Sequence, residues 1–304
     1  MNAVELANVT KTFGKYTAVD DVSLAVPKGA IYGFIGPNGS GKTTTMRMIM
    51  NIFYPDSGAI RVFGEKVDGN VPARTGYLPE ERGLYKAMKV REILRFYGGL
   101  RSGQKNLARE VDQWLERLDL TEWANKKVQT LSKGMSQKVQ FIATVVPRPD
   151  LLILDEPFAG LDPVNLDTIR SAVLELREKG STVILSTHDM NIAETMCDFI
   201  FMIFKGKKVL DGTLAAIQED YGHDTLHVRC DGGLAALQDL PGVANIVNLG
   251  QTQELHLDPD GDPRQILSVI VSRTTVRSFE IAKPSLHDIF VRIAKPDAKE
   301  APHA

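Results

Sequence analysis

Neither sign of charge prevails in this chain of 304 residues: 36 Lys and Arg stand against 38 Asp and Glu, a formal net charge of −2. Such a balance provides no overall basic field with which to hold nucleic acid or anionic lipid. Cysteine is scarce. Cys197 and Cys230 form no CxxC pair and imply no disulfide framework, which fits a reducing, cytoplasmic setting. Long apolar runs are missing as well. LLIL at 151–154 and FIFMIF at 199–204 fall far short of the roughly 20 residues that span a bilayer. The first residues, MNAVELANVTKTFG, lack a basic segment followed by an apolar one, so no secretory leader is expected. Work at a membrane would require another chain to hold this one there.

Hydrophobic residues make up 43% and charged residues 24%, which suits a soluble globular protein, and the length allows about two domains. The first 65 residues read as β-rich, with Val22, Leu24 and Val26 alternating and Ile60 and Val62 likewise. IYGFI at 31–35 reads as a buried strand running into GPNGSGKTT and then a helix with Met46, Ile49, Met50 and Phe53 on one face. From about 84 to 146 the period is helical: Val111, Trp114, Leu115 and Leu118 share one stripe, and Val139, Ile142, Ala143 and Val146 another. LLILD, a helix over Leu166–Leu176 and TVILST then form a βαβ unit, the mark of a parallel sheet covered by helices. This part closes near residue 215.

Beyond it, LHVRC, GLAALQDL, VANIVNL, TQELHLD, PRQILSVIV and TTVRSFEIA spell β-α-β-β-α-β, a ferredoxin-like order over 222–294. The tail 295–304, AKPDAKEAPHA from residue 294 on, has a disordered composition.

Chemistry concentrates in the first part. Residues 36–43, GPNGSGKT, fit G-x-x-x-x-G-K-[ST] with Gly36, Gly41, Lys42 and Thr43 in register. Small residues let the loop Pro37–Thr44 curl its backbone N–H groups (those of Asn38, Gly39, Ser40, Gly41 and Thr44 among them, Pro37 having none) around phosphate, and the following helix adds its positive end. Lys42 supplies a point charge for β- and γ-phosphates, and the Thr43 hydroxyl can ligate Mg²⁺. A Gly-rich turn before an ordinary helix is the bland alternative, and the strand–loop–helix context argues against it. In LLILDEP, Asp155 and Glu156 leave the C-terminal end of a strand, where Asp155 would hold Mg²⁺ and Glu156 would polarise the attacking water. His188 follows TVILST at the same sheet edge, placed to donate to a γ-phosphate. LSKGMSQK at 131–138 reads on its own as a helix cap.

Together these residues resemble the nucleotide-binding subunit of an ATP-binding cassette (ABC) transporter, over residues 1 to about 215. Walker A is GPNGSGKTT, Walker B is LLILDE, the D-loop is AGLD at 159–162, the switch histidine is His188, and LSKGM stands where the signature belongs. The resemblance implies a P-loop NTPase cassette: a β-rich N-terminal subdomain, a parallel-sheet α/β core, and a helical subdomain (about 84–146) that takes the membrane partner's coupling helix. It also implies that two copies, or this chain and a homologous cassette, dimerise head to tail around two ATP molecules. Ser132 and Gly134 would then donate to the γ-phosphate held by the opposite copy, and Asp162 would cross the dimer axis. Phe13 in TKTFG matches the adenine-stacking aromatic, with plain core packing or Tyr16 as stacker left open. Lys133 and Met135 depart from the usual glycine and glutamine of the signature. Glu80 stands where the family commonly carries the Q-loop glutamine and is expected to be a Mg²⁺-linked residue, as some exporter cassettes share it. The C-terminal part, ending in KPSLHDIF, resembles the extension on drug-, ion- and antibiotic-exporting cassettes, with dimer support, regulation and simple stabilisation all open.

The expectation is therefore an ATPase subunit, peripheral on the inner face of the cell membrane, that powers export through an integral permease, with ATP and Mg²⁺ as cofactors. A soluble ABC ATPase acting on ribosomes or DNA usually joins two cassettes or inserts a coiled coil, and neither feature is here. A binding module without hydrolysis would be expected to lack Glu156.

Overall fold

A computed structural model describes residues 1–68, 74–81, 83–101, 106–222, 225–258 and 260–294; the tail expected to be disordered lies outside them. The chain divides into two compact units, Met1–Thr213 and Leu214–Ala304.

The first unit opens with β1 (Asn2–Phe13) and β2 (Tyr16–Pro27), then β3 (Ile31–Ile35), α1 (Lys42–Ile49), β4 (Ser57–Val62), β5 (Glu65–Lys66) and β6 (Thr75–Leu78). Its helical part holds α2 (Val90–Arg101), α3 (Leu107–Arg117) and α4 (Lys133–Val145). There follow β7 (Leu151–Asp155), α5 (Pro163–Glu178), β8 (Thr182–Thr187), α6 (Met190–Met196), β9 (Phe199–Phe204) and β10 (Lys207–Gly212). Among the described residues, β2-β1-β4-β5 form one antiparallel sheet and β10-β9-β3-β8-β7-β6 a second, parallel except at its β10 edge.

The second sheet is covered on both faces, which explains its unbroken apolar strands. Leu152 and Leu154 of β7 pack with the helices, against Ile142, Trp114 and Ile169, whereas Leu151 and Ile153 pack with β1, β2 and α1. Because β3, β8 and β7 are adjacent and parallel, the segments that follow them leave one edge of the sheet side by side. The register aligns Ile35 with Thr187 and Asp155 with Ser186. That alignment brings the phosphate loop, the two carboxylates and His188 together.

In the second unit α7 (Leu214–Asp220) precedes β11 (Thr225–Cys230), β12 (Val243–Asn248), β13 (Gln253–Leu257), α8 (Pro263–Arg273), β14 (Val276–Ala282) and α9 (Leu286–Ala294). The antiparallel order β12-β13-β11-β14 is the ferredoxin-like one. One element differs from the sequence expectation: GLAALQDL forms only a 3₁₀ turn, Gly233–Leu237. Gly232 and Gly233 both carry positive φ, and the chain has few residues in which to build a helix before Pro241. Among the described residues of the whole chain, no helix is long and apolar enough to cross a membrane.

Candidate active site

The loop between β3 and α1 forms one wall of a cleft of about 340 Å³, lined by Tyr16, Ala18, Asn38, Gly39, Ser40, Gly41, Lys42, Thr43, Thr44, Glu80 and Glu156. Gly41 caps α1 with φ +114°, and a Cβ there would stand 2.5 Å from the Ala18 carbonyl oxygen, so only glycine fits the turn. The first turn of α1 presents backbone N–H groups that have no partner within the helix. Ser40 is buried, and its hydroxyl has no hydrogen-bond partner among the described residues. A cradle of open N–H groups with an orphaned hydroxyl fits an oxyanion ligand such as phosphate.

Lys42 is buried beside the cleft. Its ammonium donates to the carbonyls of Gly36 (2.7 Å) and Pro37 (3.2 Å) and lies 3.8 Å from Glu156 Oε1. Burial pushes its pKa down, with the charges of Glu156, Asp155 and Glu80 opposing that shift. Glu156 moves the other way: burial raises its pKa against the pull of His188 and Lys42. Both groups thus gain from a further charge of opposite sign, or from water, arriving in the cleft. Glu156 also sits at φ +48°, a left-handed conformation that is costly for a side-chain-bearing residue, at the turn out of β7. His188 Nδ1 is 3.0 Å from Glu156 Oε2. An ionised carboxylate only accepts hydrogen bonds, so beside it Nδ1 carries the proton, and the side chain is 58% exposed.

Asp155 is fully buried at the end of β7. Its Oδ1 accepts from the Thr43 hydroxyl at 3.2 Å and from the Ser186 hydroxyl at 2.7 Å, while Tyr77 Oη lies 3.5 Å from Oδ2. Thr43 and Asp155 offer hard oxygen donors, the set that suits Mg²⁺ in partnership with substrate phosphates. Ser186 was not singled out in the sequence. Its hydroxyl also accepts from the backbone N–H of Glu156 at 2.9 Å, so it orients both carboxylate-bearing residues. In sequence it is one of two adjacent hydroxyl residues, Ser186 and Thr187, at the end of TVILST, and only the strand register pairs it with Asp155.

The candidates divide by position. The phosphate-loop residues, Glu80 and Glu156 share the cleft, and Tyr16 lines it, its hydroxyl donating to the Gly39 carbonyl at 2.9 Å. Phe13 is not a cleft-lining residue; its ring meets Phe53 edge-on with centroids 5.4 Å apart, and the Lys11 ammonium lies over its face. Asp155 and His188 reach the cleft only through Thr43 and Glu156, and Ser132, Gly134 and Asp162 are not among the residues that line it. Ser132 caps α4, its oxygen accepting from Met135 N at 3.2 Å, which leaves the hydroxyl hydrogen free to donate. Asp162 caps α5, accepting from Asn165 N and Nδ2, and this lowers its pKa.

Comparison with known proteins places the chain in a family. Residues 19–159 match the family model for ABC transporters, and residues 212–294 match that for the C-terminal domain of DrrA1-3-like ATP-binding proteins. The ABC transporter ATP-binding protein YhaQ of Bacillus subtilis is 40% identical over 285 residues, 93% of this chain and 96% of that protein. The chain belongs to the ABC transporter ATP-binding proteins. Similar proteins include the daunorubicin/doxorubicin resistance ATP-binding protein DrrA of Streptomyces peucetius, 31% identical over 96% of this chain and 92% of its own length. The solved structure of an ATP-binding subunit of an ABC transporter matches with TM-score 0.68 at 30% identity, covering 72% of this chain and 93% of that one. This ABC cassette is an ATP-binding subunit.

Proposed function

We propose that this ABC subunit hydrolyses ATP at sites shared by two copies and so drives export through a separate integral membrane permease, working as a peripheral protein on the inner face of the membrane. One observation carries the reading: Lys42, Thr43 and Glu156 line one cleft, with Asp155 bonded to Thr43 and His188 to Glu156, while Ser132 and Gly134 are not among the residues that line it. A second copy turned head to tail would bring Ser132 and Gly134 to the γ-phosphate. Residues 1–215 would be the cassette and 222–294 an accessory domain. The DrrA-like C-terminal match, and relatives named for drug resistance and Nod factor export, support export as the direction.

In the reaction, water attacks the γ-phosphorus and loses a proton to a carboxylate oxygen of Glu156, and the bond to the ADP oxygen breaks. Ser186 fixes the peptide that carries Glu156, and His188 pins its carboxylate. With Nδ1 engaged this way, a neutral His188 presents only a lone pair at Nε2, so donation to phosphate requires the imidazolium. Lys42 offsets charge on the bridging and terminal phosphate oxygens. Mg²⁺, held by Thr43 and Asp155 with Glu80 at the open side, would supply further neutralisation of phosphate charge when bound. Tyr16, on the cleft wall, would be the aromatic that faces the adenine, since Phe13 packs against Phe53 instead.

Glu80→Ala is expected to raise the Mg²⁺ concentration needed for half-maximal hydrolysis and to lower turnover, by roughly tenfold for one lost charged ligand contact. Unchanged activity and Mg²⁺ dependence would remove Glu80 from the site.

Isolated from its native membrane in mild detergent, the chain is expected to bring an integral membrane subunit with it and to release phosphate from ATP. Recovery on ribosomes or DNA without a membrane subunit would contradict the transport reading.

A further inference from the structure

We propose that Lys133 is a positioning residue: it ties the signature loop to the D-loop of the same chain, so that what happens at Ser132 and Gly134 reaches the turn that carries Glu156. The inference rests on the shared-site reading above and goes beyond it by linking the two half-sites within one chain.

Lysine at this position is not explained by its own helix. Lys133 is the first residue of α4, where a cation opposes the positive end of the helix dipole. Among the described residues it makes no ion pair that would compensate, since none of the salt bridges includes it. Its side chain instead runs across to the D-loop. A Cβ built on Gly160 would lie 2.8 Å from Nζ and 3.5 Å from Cε of Lys133, so the lysine's end occupies the space that glycine leaves open. Gly160 has φ +71°, the left-handed conformation in which a side chain is costly, and its bare face is what the ammonium covers.

Two further contacts join the same segments. A Cβ on Gly134 would meet Asn165 Nδ2 at 3.2 Å, and Asn165 is held by both carboxylate oxygens of Asp162. One turn further along α4, the buried Gln137 side chain donates to the Pro157 carbonyl, directly after Glu156. The N-terminal part of α4 therefore lies against the loop out of β7 at Pro157 and Gly160 and against the first turn of α5 at Asn165. Gln137 makes its contact in the buried interior, Gly134 a half-buried one, and Lys133 the one on the exposed side. A displacement of Ser132 and Gly134 by an arriving γ-phosphate would be carried by this strut to Gly160, and through the short loop to the peptide of Glu156. The resemblance to other cassettes gives glycine as the usual residue of the signature here, a residue that has no side chain with which to make this contact.

The test uses the full chain, with its membrane subunit where that co-purifies, and three variants: Lys133→Gly, which leaves only the usual glycine; Lys133→Met, which keeps the stem without the charge; and Lys133→Arg. Lys133→Gly and Lys133→Met are expected to lose about fivefold in kcat, as for residues along a coupling network, while KM for ATP and the unfolding temperature stay at wild-type values. Lys133→Arg should keep most of the activity. Wild-type kcat in Lys133→Gly, or an equal loss in all three variants, would overturn the proposal. Lys133→Gly placed in a Glu156→Gln chain should still form an ATP-bound dimer; loss of that dimer would make Lys133 a contact between copies and not an internal strut. If Glu156→Gln stays monomeric with Lys133 intact, the shared-site reading fails instead, and this inference with it.

Discussion

Lys42→Ala should lose ATP binding altogether in an equilibrium titration. The ammonium is buried at the head of the cleft, where two loop carbonyls aim it, and its nearest carboxylate stands 3.8 Å off. Burial already pushes the amine toward neutrality, so the site holds a cation at a cost that an arriving polyphosphate offsets. Truncating one partner of a desolvated charge pair costs about 2–5 kcal/mol, a loss of affinity of roughly 30-fold to several thousandfold. The fold should survive, because Gly41 and the α1 cap that shape the loop do not depend on the lysine. Tight ATP binding retained by Lys42→Ala would remove the phosphate loop from the site.

Glu156→Gln should bind ATP normally and hydrolyse it on the order of 10²–10⁴ times more slowly, the range for removing a positioned general base. The pH profile separates this role from a structural one. Burial raises the Glu156 pKa, and the base must be ionised to accept the proton from water. Activity should therefore fall on the acid side at a pH above the ordinary carboxylate range, as the carboxylate takes up a proton. The residual rate of Glu156→Gln should lack that acid limb. A variant with wild-type turnover, or with the same acid limb, would assign the base to another group.

Much of this architecture was legible because both faces of the central sheet are buried. LLIL and FIFMIF are continuous apolar runs for that reason, and their lengths mark strands and not membrane spans. The phosphate loop was legible because its chemistry is local: one octapeptide supplies turn, charge and hydroxyl. Contacts between distant segments left weaker traces. Ser186 matters through its register with Asp155, which no local pattern announces. Lys133 read as an unexplained departure, since its partner Gly160 lies across a fold contact. Phe13 and Tyr16 stand close in sequence, yet only Tyr16 reaches the cleft wall, because Phe13 turns toward Phe53. In the second unit, GLAALQDL has helical composition, and backbone geometry at Gly232 and Gly233 decided for a 3₁₀ turn.

The cleft as one chain builds it holds Lys42 and Glu156 but not Ser132 or Gly134, which is why the account requires a second copy. The direct test is the mass of the Glu156→Gln chain in sedimentation velocity, with ATP and Mg²⁺ and then with ADP and Mg²⁺. The account predicts a dimer with ATP that dissociates to monomer with ADP. A chain that binds ATP yet stays monomeric at every protein concentration tested would contradict it.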